Sequence, residues 1–228
     1  MIIGHIGARG NSKGLPKKNF KKISGKPLIE WSIDQLIENH KIDAFVVSSD
    51  DPEIIDFGLK KGAYDIGIRP KKLATDNASK LSVWKHSLSK IKKNFKNIEI
   101  FLDLDCTSPL RENNDISNAI NDFYKFSPDM VMSCCEARKN PYFNMVEFKP
   151  DGSLKISKRA KDTIVARQKA PIVLEHVASI YAISPDFIEK ANSLLDGYVI
   201  PYIMPFERSL DIDSKFDFKI VEFLLDIR

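Results

Sequence analysis

A single-domain α/β fold is what this sequence predicts, and three observations predict it. Short apolar runs lead into Gly-, Pro- or Asp-punctuated loops and then into stretches with helical spacing, and this rhythm repeats from the N-terminus to about position 134. The first of those loops is rich in glycine and cations, the kind of strand-to-helix loop that receives anions in open α/β sheets. With 228 residues, 43% hydrophobic and 29% charged, the chain is long enough for one substantial core and unlike a disordered segment.

The elements follow in order. Ile2, Ile3 and Ile6 open a buried strand that empties into Gly-Ala-Arg-Gly-Asn-Ser-Lys-Gly. Leu28, Ile29, Trp31, Ile33, Leu36 and Ile37 predict a helix after the Gly25-Lys26-Pro27 break. Residues 44–48 (AFVVS) read as a strand, and Ser49-Asp50-Asp51-Pro52 reads as the N-cap of a helix through Lys61. A weaker strand is expected at 64–68, then a helix over 79–91. The clearest interior strand is 98–104 (IEIFLDL), running into Asp-Cys-Thr-Ser-Pro-Leu-Arg; a helix over 114–126 and a strand over 130–134 continue the alternation.

From Glu136 the rhythm stops. Residues 142–148 and 153–157, split by Pro150-Asp151-Gly152, read as a hairpin, and 158–169 is basic without periodicity. The segment 136–178 is too long for an ordinary connection, so it is expected to be an inserted functional or oligomerisation arm on the single domain 1–228. A strand over 179–183, a helix over 185–195, a strand over 198–204 and an amphipathic helix over 214–225 complete the chain.

Composition excludes several classes. A net charge of +4 is modest, and much of the basic excess lies in the first loop, which argues for a local anion site and against nucleic-acid binding. Cys106, Cys134 and Cys135 have no C-x-x-C spacing and read as reduced core residues. No apolar stretch approaches a membrane span and no leader pattern opens the chain, so a cytoplasmic location without a membrane partner is expected.

The residues able to carry chemistry cluster in four places. In the first loop Arg9, Lys13, Lys17, Lys18, Lys21 and Lys22 occur with no acid among them, and glycines let backbone N–H groups line a concavity, so a polyanion is the natural guest. Neither G-x-x-x-x-G-K-[ST] nor G-x-G-x-x-G can be drawn through Gly4, Gly7, Gly10 and Gly14, which disfavours a P-loop or an ordinary dinucleotide fold. Asp211-Ile212-Asp213 places two carboxylates on one side of an extended segment, where they can share a divalent cation; Asp213-Ser214 equally suits a helix N-cap. Arg69 can reach phosphate or sugar, or be a surface arginine, and Arg167-Gln168 can meet a carboxylate. His5, His40 and His86 read as structural or surface residues. His176, inside the arm, stays open.

Taken together, the motifs resemble those of the cytidylyltransferases that activate nonulosonic (sialic-type) acids. They run in order: 8–19 (ARGNSKGLPKKN), Arg69-Pro70 with Leu73-Ala74-Thr75-Asp76, Thr107-Ser108-Pro109-Leu110-Arg111, Arg167-Gln168 with Pro171, Ile180-Tyr181, and Ser209-Leu210-Asp211-Ile212-Asp213. The resemblance implies a Rossmann-like three-layer nucleotidyltransferase fold, with a mixed, mostly parallel sheet and a protruding dimerisation arm. It also implies CTP and an acidic nine-carbon sugar as substrates, Mg²⁺ as cofactor, and a homodimer whose sites borrow residues across the interface. By matched position Arg9, Gly10, Asn11, Ser12, Lys13 and Lys18 would hold the triphosphate, with Arg9 and Lys18 catalytic. Asn19 would take the cytosine, and Arg69 with the loop through Ser79 the rest of the nucleotide. Asp105, Thr107, Ser108, Tyr181, Gln168 and Arg167, the last from the neighbouring subunit, would line the sugar pocket, and Asp211 with Asp213 would hold the metal.

The pattern departs from that of N-acetylneuraminate enzymes, which have glutamine and asparagine where this chain has Asp105 and Val177. Asp105 together with 140–144 (NPYFN) is more similar to the branch acting on legionaminic acid. Two alternatives stand beside this reading: a metal-dependent glycosyltransferase, which also uses an Asp-x-Asp pair, and a nucleotide-binding module without turnover. The pair's place near the C-terminus and the basic loop's place at the N-terminus favour making a nucleotide sugar over using one.

Overall fold

The structure is a computed structural model and describes residues 1–10, 14–161 and 164–228. The first half alternates as its hydrophobic pattern predicts. β1 (Ile2–Gly7) is followed by a two-strand ribbon of β2 (Lys22–Ile23) and β3 (Lys26–Pro27), then α1 (Leu28–Glu38), β4 (Ala44–Ser48) and α2 (Pro52–Lys60). Next come α3 (Lys80–Asn94), β5 (Ile100–Leu104), α4 (Asn113–Phe126) and β6 (Met130–Glu136). The second half adds the hairpin β7 (Val146–Phe148) and β8 (Leu154–Ile156), then β9 (Leu174–Ile183), α5 (Pro185–Lys190), β10 (Val199–Ile203) and α6 (Lys215–Asp226).

Helix starts are written in side chains. Asp51 caps α2, its carboxylate accepting from Glu53 N at 2.9 Å with Pro52 in the first turn, and Ser79 caps α3 by accepting from Ser82 N at 3.1 Å. Ser214 and Asp217 close a reciprocal capping box on α6, so the cap falls on Ser214 and leaves the Asp213 carboxylate outside it.

Six strands form the main sheet in the order β10-β6-β9-β5-β1-β4. β1 pairs in parallel with β4 and β5, and β10 with β6, while β9 runs antiparallel between β5 and β6. The sheet is mixed and mostly parallel, as expected. The antiparallel strand explains why the β-α rhythm stops at Glu136: β6 and β9 are two arms of one hairpin, which needs no crossover helix, and residues 137–173 are its tip. That tip leaves from the carboxyl end of β6.

Alternation along the strands builds three layers. Ile2 and Ile6, Phe45 and Val47, and Leu102 and Leu104 join a core with α1, α2 and α4 on one face. Ile3, Val46, Phe101, Tyr181 and Ile183 face the other way, against Leu81, Trp84 and Leu88 of α3 and Phe187 and Ile188 of α5. A third cluster packs Phe218, Val221 and Leu225 of α6 against Leu15, Leu28, Leu110 and Ile212, tying the C-terminal helix to the basic loop.

Three expected boundaries are corrected. Residues 64–68 are not a strand: only Tyr64 bridges to Val46, Tyr64 and Ile68 are both exposed, and Gly67 at φ 75° turns the chain away. The helix expected over 185–195 ends at Lys190, because the Asp196 carboxylate binds the backbone N–H groups of Asn192 and Ser193 and sets up a loop. The strand expected over 179–183 begins earlier, at Leu174, since its first residues pair with Cys134, Cys135 and Glu136. All three cysteines are free and buried, as expected.

Candidate active site

A cleft of about 380 Å³ opens at the carboxyl ends of β1 and β5, where the first loop, the 69–78 loop and the 105–107 segment meet. Arg9, Lys18, Asn19, Arg69, Asp105 and Thr107 line it, so six of the expected residues converge in space. Asn11, Ser12 and Lys13 lie outside the described residues.

The basic loop is held by its neighbours on both sides. Gly10 N donates to the Asp50 carboxylate at 3.0 Å, and the Asn19 amide donates to Arg9 O at 2.9 Å while its oxygen accepts from the Cys106 thiol at 3.2 Å. Asn19 therefore fixes the backbone of Arg9. Burial and the nearby Asp105 push the Cys106 thiol up to about 12, which keeps it a protonated donor. The Arg9 guanidinium reaches over the cleft to Asp76 at 2.6 Å. Arg69 is not a surface residue: it is buried and donates to the backbone oxygen and hydroxyl of Ser48 and to Leu73 O, clamping β4 to the 69–78 loop.

Asp211 and Asp213 stand at the rim beside Lys18. Ile212 between them is fully buried, its N–H donates to Thr107 O at 2.9 Å, and its carbonyl accepts from the Lys18 ammonium at 2.6 Å. With Ile212 pinned inward, its two neighbours both face away from the core, as the i, i+2 spacing predicts. Lys18 also lies 3.5 Å from the Asp213 carboxylate. A Cβ on Gly14 would collide with the Asp213 carbonyl, so the loop's glycine permits the close approach. Burial, then the charges of Asp213 and Asp105, push the Asp211 carboxyl above the usual carboxylate range. Crowded carboxylates of this kind fit a hard divalent cation, whose charge relieves their repulsion. Among the described residues no three acids, histidines or cysteines form a metal cage, so protein groups alone would leave most of the coordination sphere open.

The floor of the cleft holds a charged cluster that the motifs do not reveal. His5 and Asp103 are in register on β1 and β5, and Asp103 and Tyr181 on β5 and β9. The His5 Nδ1 is 2.6 Å from Asp103 and its Nε2 is 3.0 Å from the Ser87 hydroxyl. Burial pulls His5 below the usual histidine range, so with a neutral ring Nδ1–H donates to Asp103 and Nε2 accepts from Ser87. The Lys80 ammonium bridges Asp103 at 3.0 Å and Asp105 at 2.8 Å. Its own burial would lower its pKa, but the two carboxylates hold it well above the usual lysine range; Lys80 and His5 in turn hold Asp103 well below the usual aspartate range against its burial. One signal was available in sequence: an aspartate inside the apolar run IFLDL must be paired. Lysine at the first position of a helix with no acid in its first turn is a second such signal, because the helix dipole disfavours it.

Other expected residues do not reach this cleft. Ser79 is taken up as a cap, and Ser108 is fully buried and donates to Ala178 O at 2.9 Å. Tyr181 is fully buried against Trp84, its hydroxyl 2.8 Å from His176 Nε2, so it stands behind the floor rather than on it. Arg167 and Gln168 line a separate cavity of about 340 Å³ with Glu136 and Asn140 at the base of the arm.

Known proteins resemble this chain in sequence and in fold. The family model described as Cytidylyltransferase matches residues 3–182. The chain is 35% identical over 228 residues to CMP-N,N'-diacetyllegionaminic acid synthase of Campylobacter jejuni subsp. jejuni serotype O:2, covering 100% of this chain and 96% of that protein. It is 36% identical to the post-translational flagellin modification protein B of Campylobacter coli, covering 98% and 94%. It is 30% identical to an N-acylneuraminate cytidylyltransferase of Streptococcus agalactiae serotype V, covering 93% of this chain and 50% of the longer protein. The solved structure of a CMP:2-keto-3-deoxy-manno-octonic acid synthetase complexed with CTP shares the fold, with a TM-score of 0.71, 16% identity and coverage of 99% and 98%. Sheet, cleft and sequence agree: the chain belongs to the cytidylyltransferases, among the nucleotidyltransferases that act on nonulosonic acids.

Proposed function

We propose that the protein transfers CMP from CTP to the anomeric hydroxyl of a nonulosonic acid, legionaminic-type first and N-acylneuraminate next, releasing pyrophosphate. The observation that carries this reading is the single cleft in which Arg9 and Lys18 of the basic loop meet Asp105 and Thr107 of the 105–111 segment, with Asp211 and Asp213 at its rim. Arg9, Lys18 and the loop backbone hold the triphosphate and balance charge as pyrophosphate leaves. Thr107 and Asp105 face the acceptor. Holding the two reactants in one geometry, with cations fixed beside the developing charge, supplies most of what phosphoryl transfer needs, so no catalytic histidine is required.

Asp211 and Asp213 would hold Mg²⁺, whose bound charge neutralises phosphate oxygens and favours departure of the leaving group. Arg167 and Gln168, outside the cleft of their own chain, serve the acid in the site of a second subunit. The arm that carries them exposes Phe148 at 80%, Val165 at 73% and Ile172 at 88%, apolar surface that a homodimer would cover. Consumption of CTP suits a cytoplasmic location; among the described residues no helix is long and apolar enough to cross a membrane.

The test is pyrophosphate release with Mg²⁺ and each of CTP, UTP, GTP and ATP against legionaminic, neuraminic, pseudaminic and 3-deoxy-octulosonic acids. Release confined to CTP and one or two nine-carbon acids supports the reading; release with every nucleotide, or none with any acid, contradicts it.

A further inference from the structure

Resting on that reading of the cleft, we propose that Lys80 is a positioning residue for the acidic-sugar half: braced on Asp103, it holds the Asp105 carboxylate toward the cleft as acceptor for a hydroxyl or amide N–H of the sugar.

Three features carry this. First, Lys80 contacts both carboxylates, at 3.0 and 2.8 Å, and it is the first residue of α3, so the helix start fixes where its side chain begins. The back of the cluster is rigid, because His5 ties Asp103 to Ser87 of the same helix across β1 and β5.

Second, Asp105 keeps acceptor capacity. Its Oδ1 takes the Thr107 hydroxyl at 3.1 Å and the Thr107 N–H at 3.4 Å, and its Oδ2 takes Lys80, whereas a carboxylate offers about four acceptor sites. Its side chain is 17% exposed and lines the cleft, so the carboxylate is within reach of a bound molecule.

Third, the bonds select the kind of group received: Asp103 is taken up by His5 and Lys80, so Asp105 is the carboxylate of this cluster with acceptor capacity left, and it accepts from a hydroxyl or an amide N–H.

Lys80→Met and the double variant Lys80→Met/Asp103→Asn separate positioning from charge balance. The single variant leaves Asp103 buried beside His5 alone and can lose folding; the double variant removes that unpaired charge and should restore the melting temperature. With positioning lost, the double variant's KM for the acid stays raised by about tenfold or more, the effect of one hydrogen bond to a charged group, while its KM for CTP stays within about twofold. Recovery of the acid KM together with the melting temperature would show that Lys80 only balances Asp103, and an equal rise in both KM values would place it with the nucleotide; either overturns the proposal. A double variant that fails to fold overturns it as well, because Lys80 would then be needed for the fold itself. Wild-type protein that transfers CMP to no acid overturns the functional reading, an outcome read separately from the variants.

Discussion

At the scale of single residues, the cluster beneath the cleft has a defined pH signature. Asp103 titrates well below the usual aspartate range, so its stabilisation is fully present above about pH 3.9 and is lost as pH falls from there toward the folded value. Lys80 titrates above the usual lysine range, so its stabilisation is fully present below about pH 10.4 and is lost as pH rises through the raised value. His5, lowered by burial, adds a fall below about pH 6.5, because the unfolded chain takes up that proton first. Thermal melting should thus plateau between about pH 7 and 9, and Asp103→Asn should flatten the decline below about pH 4. An unaltered acid limb in that variant would remove Asp103 from the account. Asp213, with its side chain 79% exposed, makes the opposite prediction: Asp213→Ala should lower turnover on the order of 10²-fold or more, with the melting temperature unchanged. Unchanged turnover would show the metal assignment to be wrong. Which residues gather at the cleft and its rim was partly legible in sequence. Arg9, Lys18, Asp211 and Asp213 announce themselves by type and spacing, whereas Lys80 and Asp103 become partners only when two strands and a helix start are brought together.

At the scale of elements, the site depends on two loops that clasp each other. Lys18 and Thr107 grip Ile212 from both sides, and Gly14 lies against the Asp213 backbone. Gly14→Ala should push the basic loop off the 211–213 segment, so turnover should fall at least about tenfold and KM for CTP should rise, with α6 less firmly docked. Wild-type kinetics in that variant would mean the two loops move independently. The parallel strands and their helices were readable because burial on both faces writes continuous apolar runs, and caps at Asp51, Ser79 and Ser214 mark where helices begin. The start of strand β9 is not legible in sequence because its first residues are exposed and lack the apolar alternation; they pair with β6 through backbone hydrogen bonds that leave no pattern in side chains. Tyr64 failed for the converse reason: a β-rich composition beyond the edge strand β4 found a single bridge there.

At the scale of the whole molecule, the reading requires a second subunit. Arg167 and Gln168 are part of a cavity at the arm, separate from the cleft they are expected to serve. Arg167→Ala should raise the KM for the acid far more than for CTP. Mixing the impaired Arg167→Ala and Asp213→Ala proteins, after dissociation and reassociation and at an acid concentration well below the raised KM, should recover activity, because one site of each mixed dimer is then intact. No recovery, with mixed dimers present by native mass spectrometry, would return Arg167 to its own chain. The measurement that bears most directly on the central claim is the mass of the product formed from CTP and a legionaminic-type acid with Mg²⁺. The account predicts a conjugate of CMP and the acid, formed one for one with pyrophosphate. Pyrophosphate accompanied by free CMP and unchanged acid, or CTP bound without turnover, would contradict it.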